Sequence, residues 1–367
     1  MNILKTTLAL LLLLLHSNNN YSQAPYGSAG QQTAVYLNSS NGIPFGYYEY
    51  LPQNFTPTSG TSYPVLIFYH GIGEKGNGTT ELYKVLANGT PKQIQQGMHF
   101  PAIVISPQKG SGWFSGADFL TLYNYLLLNY PIDTNRVYIT GLSAGGGGVW
   151  QALNSHHDKI AAAVPICGAG SISNPALFLQ NTNIWIHHNF GDTTVQKTQS
   201  INNANRIANN SETVMDVYPY GANNTAATTD FTMQFDTNTQ TWTGNSGVAE
   251  PIDRLCFTLY KANGHNAWST TYNNPSVYDW MFSKTLNIAL SNPTFENHNM
   301  TVYPNPTKDI IRFSKNIISE AINIYDISGK KISSGFSIQA NTIDISSFEN
   351  GIYFLKLKNQ TFKIVKN

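Results

Sequence analysis

The chain has 367 residues, is 41% hydrophobic and only 11% charged, and carries a formal net charge of +1. That length holds one large domain and a small one, with ample apolar residues for a packed core. Residues 24–295 carry 11 Lys/Arg against 14 Asp/Glu and residues 296–367 carry 9 against 6; with no basic stripe interleaved with aromatics, nucleic acid is excluded as a partner.

At the N-terminus, Lys5 precedes an apolar run from Leu8 to Leu15, the layout of a secretory signal. The run is too short to span a bilayer as a mature helix. A cleavage point within Tyr21-Ser22-Gln23-Ala24-Pro25 makes residues 1–23 a signal peptide. No later apolar stretch is long enough to cross a membrane, so the sequence predicts an exported protein with no transmembrane segment after processing.

From about residue 32 to 290, apolar strand-like runs alternate with helix-like segments, the pattern of a mostly parallel, doubly wound α/β sheet covered on both faces. Strands are expected at 46–51, 65–69, 102–105, 136–140, 160–166, 184–186 and 255–260. Helices are expected at 81–87, 91–96, 118–128, 149–155, 195–209 and 277–287. Residues 221–250, rich in Asn, Thr and Gly, read as an inserted loop or lid with short strands. The catalytic domain is expected to span 24–293, ending at Asn292-Pro293. Beyond it, short strands at 309–313, 321–325, 330–332, 341–345, 352–357 and 361–365 are separated by turns such as Asn350-Gly351, predicting a small all-β sandwich over 294–367. The two cysteines, Cys167 and Cys256, fall on different strands and are expected to be buried free thiols rather than a disulfide.

The chemistry starts at Gly141-Leu142-Ser143-Ala144-Gly145, directly behind the run Arg136 to Thr140. A serine bracketed by glycines at a sharp strand-to-helix turn is a nucleophile elbow: the turn lifts the hydroxyl clear of the sheet, and the close approach of strand and helix leaves no room for side chains at the flanking glycines. No Lys follows, as a phosphate-binding P-loop would require. Functional groups gather beyond the carboxyl ends of the strands in such a sheet, and three of these ends carry Ser143, Asp192 and His265, in the chain order of an α/β-hydrolase triad. His265 is the expected base for the Ser143 proton and Asp192 the orienting acid. Asp192 also has the position of a cap for the segment starting at Thr193, and Asp230 and Asp236 are rivals within the polar insertion. The oxyanion hole is expected from the amides of Ala144 and Ile72. Glu74 either organises that loop or is a solvated charge. Trp113, as a pocket wall or a core residue, and His70 are the candidate substrate-binding side chains. His187 and His188 point to opposite sides of a strand and read as packed or hydrogen-bonded histidines rather than zinc ligands.

These residues resemble the secreted α/β-hydrolases of the peptidase or phospholipase/carboxylesterase type, relatives of the feruloyl and acetylxylan esterases. The matching stretches include Tyr69-His70-Gly71-Ile72-Gly73-Glu74, Phe100 to Gln108, Gly141 to Gly146, Val164 to Gly170, Gly191-Asp192 with Val195, and Gly264-His265-Asn266-Ala267-Trp268. The resemblance implies ester or amide hydrolysis with no metal and no cofactor. The reaction expected first is hydrolysis of carboxylic esters, on a small molecule or on acyl groups of a polysaccharide. A peptidase with the same triad and a non-catalytic binding protein on a hydrolase scaffold are the alternatives. Two departures stand out: His188-Asn189 replaces the usual His-Gly, and Gly147-Gly148 replaces bulkier residues, which is expected to widen the floor of the site. The tail, with Val302-Tyr303-Pro304-Asn305-Pro306-Thr307, Tyr325 to Lys330 and Asn350-Gly351-Ile352-Tyr353, resembles the type IX secretion sorting domain. It implies the type IX secretion machinery as a partner and a secreted or cell-surface destination.

Overall fold

The computed structural model describes residues 26–38, 42–57, 60–173, 182–220, 227–247, 254–286, 302–314, 322–357 and 360–367. The expected signal peptide and the Asn292-Pro293 boundary lie outside these residues. By its contacts the chain divides into two compact units, 1–288 and 289–367.

In the first unit, β1 (Gln32–Val35), β2 (Gly46–Tyr50), β3 (Tyr63–Tyr69), β4 (Ile103–Gln108), β5 (Ile132–Leu142), β6 (Ala162–Ile166), β7 (Asn183–Gly191), β8 (Phe231–Asp236), β9 (Thr241–Ser246) and β10 (Leu255–Asn263) form one sheet. Its order is β1-β2-β4-β3-β5-β6-β7-β10-β8-β9. Strands β4, β3, β5, β6, β7 and β10 run parallel, flanked by antiparallel pairs on either edge. The order reverses between β3 and β5, which places the end of β5 at a switch point where an open α/β sheet forms its sites.

The parallel strands read as continuous apolar runs because both faces are covered. In β3, Val65, Ile67 and Tyr69 enter one core, with Phe119, Val149, Trp150 and Ile207 from the helices Gly116–Asn129, Ala144–His156 and Thr198–Ala208. Leu66 and Phe68 enter the opposite core, with Ile94, Val277, Trp280 and Met281 from Gly89–Gln95 and Pro275–Phe282. The period-2 alternation of side chains therefore feeds two separate cores from one strand.

Several expectations are corrected in detail. Residues Leu82–Ala87 wind as a 3-10 rather than an α-helix. The helix expected from 195 begins only at Thr198, because Asp192 holds the preceding turn. The last helix is Pro275–Phe282, started by the Asn274 side chain accepting from the Ser276 amide. The insertion read as a lid contains the β8–β9 hairpin, which extends the main sheet. Phe231, Met233 and Phe235 alternate into the core beneath it, a strand pattern that the surrounding Thr and Asn obscure.

The second unit has two four-stranded sheets. One is ordered β11 (Val302–Tyr303), β12 (Ile310–Phe313), β16 (Thr342–Asp344), β15 (Ser337–Gln339). The other is ordered β14 (Lys331–Ile332), β13 (Ile322–Asp326), β17 (Gly351–Leu357), β18 (Gln360–Lys366). Ile311, Phe313, Ile324, Ile343, Leu355 and Ile364 make its core, as expected of a small all-β sandwich. Among the described residues, no helix is long and apolar enough to cross a membrane.

Trp150 is fully buried on the sheet face that carries the elbow helix. Trp150→Ala is expected to lower unfolding free energy by about 3–5 kcal/mol, measured as a shift of the denaturant midpoint of the purified protein.

Candidate active site

Ser143 stands between β5 and the helix Ala144–His156 with φ 52° and ψ −117°, a strained conformation for a residue with a Cβ. The neighbouring glycines show why the turn requires this sequence. A Cβ on Gly141 would come within 2.6 Å of the Gly145 carbonyl, and one on Gly145 would overlap the Tyr69 carbonyl and lie 2.6 Å from that of His70. Strand β3, the elbow and the helix thus meet backbone to backbone, and the Ser143 amide is held by the Ile166 carbonyl at 2.9 Å.

His265 follows β10 through Gly264, whose φ of +78° with open space around its Cβ position asks for glycine on conformational grounds. The Gly264 amide donates to the Gly191 carbonyl at 3.0 Å and the Asn189 side chain donates to the Gly264 carbonyl at 2.9 Å, tying together the ends of β7 and β10. His265 Nε2 is 2.7 Å from Ser143 Oγ, and its Nδ1 is 2.7 Å from Asp192 Oδ2. The ring is packed edge-on by Trp268, with centroids 5.2 Å apart.

Asp192 fills both positions that its sequence context suggested. Oδ1 accepts the Thr194 and Val195 amides at 2.9 and 3.0 Å, organising the turn, while Oδ2 meets His265. Burial pushes its carboxyl up, but hydrogen bonds from His188, His265 and the Val195 amide outweigh that and hold it down to about 2. It is therefore an anion at any working pH. The rivals are occupied elsewhere: Asp230 accepts the Lys261 amide, and Asp236 accepts the amides of its own hairpin turn.

The loop after β3 brings the second group of predicted residues to the elbow. Ala144 opens its helix, so its amide is among those that helical geometry leaves without an intrahelical acceptor. Ile72 opens the 3-10 turn Ile72–Glu74 and is 64% exposed. Gly71 allows this loop to lie on the elbow strand, since a Cβ there would come within 2.7 Å of Leu142 Cδ1. His70 is corrected from a substrate-binding to a loop-supporting residue. It is buried, Nδ1 donates to the Gly71 carbonyl at 2.6 Å, and Nε2 accepts the Lys109 amide at 2.9 Å, so both ring nitrogens are spent on backbone. Burial pushes its imidazole down to about 4, the Gly71 carbonyl opposing and the Lys75 charge adding. Glu74 is buried, which settles its place as an organiser of the loop: Oε1 accepts Asn88 Nδ2 at 2.5 Å. Asn88 Oδ1 in turn accepts Trp268 Nε1 at 3.2 Å, joining this loop to the one that carries His265. Sequence reading missed Asn88 and Trp268, since partners 180 residues apart leave no local pattern.

Trp113 is 51% exposed and lies over the first turn of the elbow helix, its six-membered ring 3.2 Å from where a Gly147 Cβ would stand. Phe114, stacked on Tyr69 at 3.9 Å, fills the space beside Gly148. Gly147 and Gly148 therefore do not widen the floor; they seat the 109–114 loop on the helix. Between the loops runs a tight crevice, closed to even a water-sized sphere, lined by His70, Gly71, Lys75, Lys109, Trp113, Phe114 and Ala144.

Cys167, His188 and Asp192 bring possible metal-ligating atoms within 4.8 Å of one another. The donor chemistry argues against an ion there. His188 Nε2 lies 2.8 Å from the Val195 carbonyl, which can only accept, so that nitrogen carries a proton. Burial pushes the Cys167 thiol up to about 12. Both cysteines are buried and neither is in a disulfide. His187 and His188 do face opposite ways, His187 to Tyr260 at 3.0 Å and His188 to Ser200 at 2.8 Å.

The fold is that of an α/β-hydrolase, with Ser143 at its switch point. Residues 106–223 match the model of the prolyl oligopeptidase family, and residues 301–367 match that of the secretion system C-terminal sorting domain. The C-terminal match marks a sorting domain that directs export by type IX secretion to the cell surface or the medium. It is 28% identical over 124 residues to a bifunctional acetylxylan esterase/xylanase from Neocallimastix patriciarum, a match covering 32% of this chain and 17% of that relative's length. Among solved structures, a thermostable esterase is 24% identical with a TM-score of 0.46, covering 69% of this chain and 63% of the other. The acetyl xylan esterase from Aspergillus awamori is 14% identical with a TM-score of 0.44, covering 68% and 99%.

Because its Cβ would overlap backbone rather than a yielding side chain, Gly145→Ala is expected to cost about 1–3 kcal/mol of stability and to lower turnover further by displacing Ser143. Thermal unfolding and ester turnover measured on the same preparation check both effects.

Proposed function

We propose that this protein hydrolyses carboxylic esters through an acyl-enzyme, with Ser143 as nucleophile, His265 as general base and acid, and Asp192 as the orienting anion. The observation that carries this reading is the continuous chain of 2.7 Å contacts from Ser143 Oγ through His265 to Asp192. Ser143 Oγ attacks the ester carbonyl as His265 Nε2 takes its proton. The Asp192 charge steadies the imidazolium that results. The amides of Ala144 and Ile72 receive the negative oxygen of the tetrahedral intermediate, each such donor being worth about 3–4 kcal/mol to the barrier. Collapse breaks the bond to the alcohol, which leaves with the proton from His265. Water, deprotonated by the same imidazole, then attacks the acyl-enzyme; collapse breaks the bond to Ser143 Oγ, which takes the proton back from His265 as the acid departs.

Half-exposed Trp113, lying over the first turn of the elbow helix, offers a flat apolar wall to the substrate. The name of the acetylxylan esterase relative points the same way, to acyl groups on polysaccharide. The prolyl oligopeptidase match favours a second reading, a peptidase using the same three side chains. In either case we read residues 1–23 as a removed signal, 24–293 as the catalytic domain and 294–367 as the sorting domain.

Ser143→Ala is expected to abolish turnover of p-nitrophenyl acetate and labelling by a fluorophosphonate probe. Retained turnover would refute the mechanism, and a wild-type protein that the probe leaves unlabelled would instead be a binding protein on a hydrolase scaffold. A panel of acetylated and feruloylated oligosaccharides alongside a peptide library separates the two enzyme readings, with ester turnover and no peptide cleavage expected. Trp113→Ala is expected to raise KM for oligosaccharide esters by about three- to tenfold, as loss of a 1 kcal/mol aromatic contact would, with kcat little changed; a wild-type KM in steady-state kinetics would remove Trp113 from the binding surface.

A further inference from the structure

Asp192 Oδ2 lies between two imidazoles. His265 Nδ1 is at 2.7 Å and His188 Nε2 at 3.2 Å, and only His265 reaches on to Ser143. The His188 side chain is fully buried. Its proton placement follows from its partners. The Val195 carbonyl, 2.8 Å from Nε2, can only accept, so Nε2 carries a hydrogen whether the ring is neutral or charged. That hydrogen points to the Val195 carbonyl, with Asp192 Oδ2 beside it at 3.2 Å from Nε2. Nδ1 is anchored 2.8 Å from Ser200 Oγ, in the first turn of the helix Thr198–Ala208.

We propose that His188 is a positioning residue, which holds the Asp192 carboxylate in the orientation that His265 requires. The inference rests on the triad reading above. The carboxylate is restrained from both sides: Oδ1 by the Thr194 and Val195 amides, Oδ2 by an imidazole rooted in β7, in that same turn and in the helix after it. With both oxygens pinned, rotation about the Cβ–Cγ bond breaks several contacts at once. The His188 N–H also draws on the charge of Oδ2. Without it, more of that charge faces His265, and the imidazolium becomes more stable.

The ionisable groups facing Asp192 are His265, His188 and Cys167. Cys167 stays a neutral thiol through the working range, so only the two imidazoles enter the pH dependence. A more stable imidazolium keeps its proton to higher pH, and activity on the acid side is then lost at higher pH.

The test compares wild type, His188→Leu and His188→Gln in the full chain, since the glutamine amide places an N–H near the imidazole Nε2. His188→Leu is expected to lower kcat about ten- to hundredfold, the range for a misplaced catalytic group, with KM nearly unchanged because His188 does not line the crevice. Its acid-side half-activity point should move up by several tenths of a pH unit, and His188→Gln should recover most of both effects. A wild-type kcat in His188→Leu, or a loss with an unmoved pH profile that His188→Gln does not recover, overturns the proposal. Should His188→Leu fail to fold, 15N-labelled histidine spectra of wild type decide: a hydrogen on Nε2 of His188 supports the proposal, and a ring protonated on Nδ1 alone overturns it. Ser143→Ala separates the two readings. If that variant retains turnover, the triad assignment itself fails; if it is inactive while His188→Leu matches wild type, only the role of His188 fails.

Discussion

The site depends on the backbone contact between the start of the elbow helix and the end of β3. Gly145 lies so close to the Tyr69 and His70 carbonyls that no Cβ fits between them. This contact aligns the helix Ala144–His156 with the sheet, and it also sets the loop carrying Gly71 and Ile72 alongside Ser143. The proposed nucleophile and both proposed oxyanion donors are therefore placed by one packing event rather than by separate loops. The cost is the Ser143 backbone at φ 52°, of the order of 1–3 kcal/mol. The burial of Val149, Trp150 and Leu153 on the same helix offsets it.

At the opposite side of the site the means are polar. Serine is held by steric exclusion, whereas Asp192 is held by saturation of its oxygens. Desolvation works against the charge of this carboxylate, and hydrogen bonds from two imidazoles and the turn amides overcome it. Because the same side chain builds the turn after β7, the carboxylate is oriented by the chain that follows it. The link from Glu74 through Asn88 to Trp268 makes a third restraint, between the loops that flank the reacting groups.

What could be read in the sequence was local. The elbow is visible because strand, serine and glycines lie within a dozen residues, and the acid and base are visible because a parallel sheet delivers successive strand ends to one rim. Long-range fillings were hidden. Gly147 and Gly148 looked like widened space, since the side chains that occupy it, Trp113 and Phe114, come from a loop more than thirty residues earlier. His70 looked available to substrate until both its nitrogens were seen to serve backbone atoms. Short strands were expected in the 221–250 insertion, but that β8 and β9 extend the main sheet was not, because their Thr and Asn content hides the strand spacing of Phe231, Met233 and Phe235. His188 was read correctly as hydrogen-bonded, but its contact with Asp192 depends on how the chain turns after β7.

The two cysteines bear on how the chain matures. Each is enclosed in the core outside any disulfide, and Cys167 is held protonated far above neutral pH. Among the described residues, then, nothing in the tertiary structure has to await an oxidant, and no sulfur pairing can be scrambled while the chain is in transit. The native state is reached by burial and hydrogen bonding alone, so the finished protein should be indifferent to the redox character of whichever side of an envelope it folds on.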